Sequence, residues 1–243
     1  MIKENIQIFN TSDELSENFT KFLQNLLSVY PHINISLSGG STPKQLFNYW
    51  SQNNKQNLKL DWGRITFYWG DERCVPPDNE MSNYGMTEKY LFKNIHQIQN
   101  QNIHRIQGEN DPTIEAQRYA KLLNSNLAVY KNTPCFELIL LGMGDDGHTA
   151  SIFPDQMNLW NSENDCVVAK HPETGMQRIS LSGKVINNAQ HVAFLVTGKD
   201  KAEKVSEIIK NRSASETLYP AAKVNPSNGF LYWFLDKESA KLL

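Results

Sequence analysis

The sequence predicts an α/β fold: a mainly parallel sheet with helices on both faces. Two observations carry that reading. Short apolar runs of strand type alternate with stretches of helical period along the chain. The run Phe136-Glu137-Leu138-Ile139-Leu140-Leu141 is almost wholly apolar, as a strand covered on both faces requires.

The elements follow in order. Thr11 or Ser12 caps a helix whose Leu15, Phe19, Phe22, Leu23, Leu26 and Leu27 recur at one-face spacing, and Pro31 ends it. Ile33 to Leu37 reads as a strand. The turn at 38–42 is Gly-rich, and Pro43 opens a second helix through Trp50, with Thr42 as its N-cap. Ile65 to Trp69 is a strand, followed by a long acidic loop at 70–82. Residues 83–93 and 112–130 read as helices, with a polar Asn/Gln-rich connection between them at 94–110. Further strands are expected at 165–169, 178–182, 191–197 and 230–235, and a helix at 199–211. Residues 1–243 are read as one domain, with room for a small β-rich insertion around 160–182.

Composition narrows the function. The chain has 243 residues, 40% hydrophobic, with a formal net charge of −2, so a sizeable core is within reach. Lys and Arg are scattered, which speaks against a nucleic-acid partner. No apolar stretch is long enough for a membrane span, and the polar start Met1-Ile2-Lys3-Glu4-Asn5 predicts no secretory signal. Cys74, Cys135 and Cys166 are widely spaced, which fits reduced thiols in the cytoplasm and offers no zinc spacing.

Three strands end in unusual loops. If the sheet is parallel, all three lie on its carboxyl edge, where such sheets bind ligands. Ser38-Gly39-Gly40-Ser41-Thr42 reads as a phosphate cradle at a helix start, or equally as a tight turn; its spacing is not that of a P-loop. Gly70-Asp71-Glu72-Arg73 offers a guanidinium for an anion, unless Arg73 pairs with its acidic neighbours. The loop Gly142 to His148 holds a histidine among three glycines, and Thr149, Ala150 and Ser151 are expected to begin a short helix. Histidine suits general-base work near neutral pH, and Asp145 or Asp146 is placed to orient its ring. Arg178 and Lys199, at strand ends, are further anion ligands in prospect, or simply surface charges.

Four segments resemble the 6-phosphogluconolactonase family: 37–47 (LSGGSTPKQLF), 69–86 (WGDERCVPPDNEMSNYGM), 138–154 (LILLGMGDDGHTASIFP) and the C-terminal pieces at 177–182, 196–205 and 229–240. They run in the family's order over nearly the whole chain. The resemblance implies a Rossmann-like sheet of the glucosamine-6-phosphate deaminase type. It implies hydrolysis of 6-phospho-D-glucono-1,5-lactone, with neither metal nor organic cofactor. His148 would be the general base, with Asp146 and Arg73 in the catalytic set. Gly39, Gly40, Ser41, Thr42, Asp71, Arg73, Arg178 and Lys199 would surround a phosphorylated sugar lactone. One departure is Met81, where the family often has an acidic residue. The expected state is a monomer or weak homo-oligomer.

Two other readings compete. A sugar-phosphate isomerase or deaminase on the same fold needs more acid/base groups. In the deaminases a glutamate follows the motif histidine by five positions, where this chain has Phe153. The other is a non-catalytic phosphosugar binder, either standing alone or as the sensor domain of a regulator, which would want a DNA-binding segment. The helix before the first predicted strand has no basic partner for that role.

Overall fold

The computed structural model describes residues 3–54, 58 and 60–243; Met1 and Ile2 of the polar start lie outside them. The chain opens with β1 (Glu4–Phe9) and α1 (Ser12–Val29). Thr11 caps α1, its hydroxyl accepting from the Glu14 N–H at 3.1 Å. Then come β2 (Ile33–Leu37), α2 (Ser41–Asn53), β3 (Ile65–Trp69), β4 (Asp71–Arg73), α3 (Asn83–Tyr90) and α4 (Pro112–Asn126). A hairpin of β5 (Ala128–Tyr130) and β6 (Thr133–Cys135) leads into β7 (Leu138–Leu141). The chain continues through β8 (Cys166–Lys170), β9 (Gln177–Leu181), α5 (Gly183–Ile186) and β10 (His191–Val196). It ends with α6 (Ala202–Lys210), α7 (Arg212–Ser215) and β11 (Phe230–Asp236).

The main sheet has the order β1-β11-β10-β7-β2-β3, and every pairing in it is parallel. From β2 the chain moves outward to β3, returns to the other flank of β2 as β7, and then moves outward again through β10 and β11. The direction of winding therefore reverses between β2 and β7, and the loops beyond their carboxyl ends part to leave a crevice. All of β7 and β10 is buried. Neighbouring residues of β11 serve opposite faces: Phe234 meets Phe19 of α1 edge-on at 5.2 Å, while Trp233 stacks on Phe194 at 4.2 Å. A smaller antiparallel sheet, β4-β9-β8, begins one residue after β3, so it rises from the carboxyl edge of the large one.

Several elements differ from the sequence reading. β1 was not expected: Ile6 and Ile8 lie exposed on this edge strand, so no buried alternation marks it. The expected loop at 70–82 contains β4, whose three polar residues gain strand geometry only from pairing with β9. The helix expected over 112–130 stops at Asn126 and gives way to β5. Thr149 to Ser151 form no helix; Ala150 has φ 49° in a turn closed by a Thr149–Ile152 bridge. Helix α2 is capped by Gly40, whose φ of 104° suits glycine, and not by Thr42. The stretch 199–211 splits into a 3-10 turn at Lys199–Lys201 followed by α6.

Candidate active site

The crevice is a cleft of about 230 Å³ lined by the loops after β2 and β7, by β4 and β9, by the start of α3, and by the end of β10 and the turn after it. Gly39, Gly40, Ser41, Thr42, Asp71, Arg73, His148 and Arg178 all line it. The three loops singled out in the sequence thus meet because three adjacent parallel strands, β7, β2 and β3, deliver them to one edge.

His148 projects from the loop after β7. Its Nδ1 lies 2.7 Å from Asp146 Oδ1, which also accepts from the His148 backbone N–H at 2.9 Å. An ionised carboxylate only accepts, so Nδ1 carries the proton and Nε2 is left with its lone pair. Burial alone would raise the Asp146 carboxyl, but the hydrogen bonds and charge of His148 outweigh it and hold it below the usual range. Asp145 is exposed, which resolves the choice of partner left open by the sequence. Gly144 passes so close that a Cβ there would stand 2.2 Å from His148 Nδ1; no other residue fits beside the ring.

Opposite stand two arginines. Arg73 and Arg178 face each other across the β4–β9 pairing. Arg73 Nη1 donates to the Met81 carbonyl at 2.6 Å, so the position departing from the family pattern is used through its backbone. Among the described residues, the buried Nε of each arginine has no hydrogen-bond partner. Burial, then the like charge of Arg73, pulls Arg178 down from the usual guanidinium range. The local ion pair that the sequence allowed does not form. Glu72 turns inward and accepts from the backbone N–H groups of Arg73, Asn83 and Tyr84 at 2.7–2.8 Å and from the Ser82 hydroxyl at 3.0 Å, capping α3. Burial raises the Glu72 carboxyl, and those four donors oppose the rise. Asp71 is held by the Ser151 hydroxyl at 2.6 Å and by the Asn83 amide.

Lys199 is exposed and does not line the cleft; Lys201 does, together with Thr197. A tight turn at Gly198, its N–H held by Asp236 at 3.1 Å, brings round the second lysine instead of the first. Asn83 is a further lining residue that the sequence reading missed; its only signal was its place in the SNYG stretch. Thr42 faces Thr197, with the hydroxyls 2.8 Å apart. Burial pushes the Cys74 thiol up to about 11, away from reactive thiolate chemistry. Among the described residues, no group of three or more His, Cys, Asp or Glu gathers to hold a metal, and no helix is long and apolar enough to cross a membrane.

Residues 9–233 match the family described as glucosamine-6-phosphate isomerases/6-phosphogluconolactonase. A 6-phosphogluconolactonase of Haemophilus influenzae is 44% identical over 231 residues, 95% of this chain and 94% of its own. This chain belongs to that family. The 6-phosphogluconolactonase of Trypanosoma brucei has a solved structure that matches at TM-score 0.86 and 28% identity, covering 100% of both chains. A monomeric glucosamine-6-phosphate deaminase shares the fold at TM-score 0.82 and 20% identity, over 98% of this chain and 100% of its own. His191 lies apart from the cleft. It opens β10 at the amino end of the strand, whereas the cleft lies beyond the carboxyl end.

Proposed function

We propose that this chain hydrolyses 6-phospho-D-glucono-1,5-lactone to 6-phospho-D-gluconate, with His148 as the general base. The observation that carries the reading is one cleft holding both an oriented imidazole and two arginines with free donors. His148 Nε2 takes a proton from water as the oxygen attacks the lactone carbonyl. The tetrahedral oxyanion is met by donors of the Gly-rich loops. The imidazolium then returns its proton to the departing ring oxygen, and the C–O bond breaks. Asp146 holds the ring and stabilises the imidazolium in between. Arg73, Arg178 and Lys201, with the start of α2, bind the phosphate and convert remote binding into orientation. Asp71, Asn83 and the 39–42 loop shape the sugar's surroundings. A lactone is already reactive, so the step as written calls for no metal and no organic cofactor. We place the activity in the cytoplasm, on a monomer or weak homo-oligomer; the three free cysteines agree with a reducing compartment.

Proton release tests it. Freshly made phosphorylated lactone should be opened well above the spontaneous rate. The dephosphorylated lactone should lose about 3 kcal/mol of transition-state binding, as expected when charge-assisted donors lose their partner. Equal efficiency on the two lactones would remove the phosphate site from this account.

A further inference from the structure

Phe153 is 1% exposed and does not line the cleft, yet its ring meets two residues that do, His148 and Arg178. Its centroid lies 4.7 Å from that of His148, the planes tilted by 47°, and 5.5 Å from Arg178 Cζ. His171 meets the same ring edge-on at 5.3 Å. That imidazole is fixed in turn, because its Nδ1 accepts from the Glu173 and Thr174 N–H groups, both at 3.3 Å. The benzene ring is therefore held among three neighbours and turns none of them loose.

The chemistry of the contact matters. A carboxylate beside Arg178 would occupy the guanidinium donors and compete with an incoming anion. An aromatic ring attracts the cation through its π electrons and consumes no N–H. Arg178 is thereby held in place while its Nε stays unpartnered. On the other side, the Asp146 bond and the close Gly144 backbone hold the Nδ1 edge of His148, and the ring of Phe153 packs against the imidazole as a further restraint on its tilt.

We propose that Phe153 is a positioning residue that couples anion binding at Arg178 to the orientation of the His148 imidazole. Only the kinetic part of its test rests on the lactonase reading. Phe153→Leu keeps apolar bulk and removes the π face; Phe153→Met serves if the leucine variant melts early. By calorimetry, inorganic phosphate should bind about fivefold to tenfold more weakly to the folded variant. The ring NMR signal of His148, assigned by its loss in His148→Ala, should move when phosphate saturates the wild type and move clearly less in the variant. In kinetics, kcat should fall about tenfold on both the phosphorylated and the plain lactone, while KM rises only for the phosphorylated one. In an Arg178→Met background, Phe153→Leu should move that KM no further. Unchanged phosphate affinity in a folded variant, or an undiminished KM effect without Arg178, would overturn the proposal. A wild type that turns over neither lactone, yet shows the Phe153-dependent phosphate and NMR effects, would count against the lactonase reading and for the coupling.

Discussion

His148, Asp146 and Lys201 are where single side chains decide the outcome. Removing the imidazole removes the one histidine that lines the cleft among the described residues: His148→Ala should lower kcat by a factor of about 10² to 10⁴ while product binding stays largely intact. A folded variant that keeps most of its turnover would place the base elsewhere. The two lysines of the Thr197–Lys201 turn offer a sharper contrast, since they differ in position and share their chemistry. Lys201→Ala should raise KM for the phosphorylated lactone by about tenfold or more, the worth of one charge-assisted hydrogen bond. Lys199→Ala should leave it within about twofold, because its side chain is exposed and off the cleft. The reverse pattern in initial-rate measurements would restore the assignment read from the sequence.

At the scale of elements, the N-terminus of α3 depends on Glu72. Its buried carboxylate satisfies the N–H groups of Asn83 and Tyr84, and Asn83 in turn holds Asp71 beside the cleft. Glu72→Ala would leave those donors buried and unpaired, costing about 3 kcal/mol. Urea unfolding should report that loss, and a change below about 1 kcal/mol would mean that the Ser82 hydroxyl, which already accepts from the Gly85 N–H at 3.0 Å, caps α3 well enough alone. This cap also decides between the two readings of the acidic loop, an anion ligand or a local ion pair. Asp71, Glu72 and Arg73 look like a self-contained ion cluster, yet strand pairing points Glu72 one way and Arg73 the other.

For the whole molecule, the pH dependence of stability has a source far from the chemistry. His191 is 8% exposed at the amino end of β10, tying the end of α1 to β11. The Tyr30 hydroxyl donates to Gln190, so it accepts from His191 Nε2, and Nδ1 accepts from Tyr232. Burial pulls its pKa from 6.5 to about 4. The unfolded chain therefore binds this proton at a higher pH than the folded one. Stability is fully present above about pH 6.5 and declines as pH falls toward 4, by about 2 kcal/mol between pH 7 and pH 5. Urea unfolding at those two pH values should show the decline, and a folded His191→Gln protein should show about that much less of it. An equal slope in both proteins would assign the acid sensitivity to other groups.

The sequence by itself determined the α/β class, the buried strand before His148 and the three polar loops after successive strands, because apolar period and glycine content are local properties of the chain. It also carried the family, through motifs spread over nearly the whole length. Only the tertiary structure decided the rest. β1 and β4 exist through pairing with β11 and β9, partners distant in the chain. The choice of Asp146 over Asp145, and of Lys201 over Lys199, turns on backbone direction within tight turns. There, a shift of one or two residues turns a side chain from solvent toward His148 or into the cleft, and residue type alone does not record that direction.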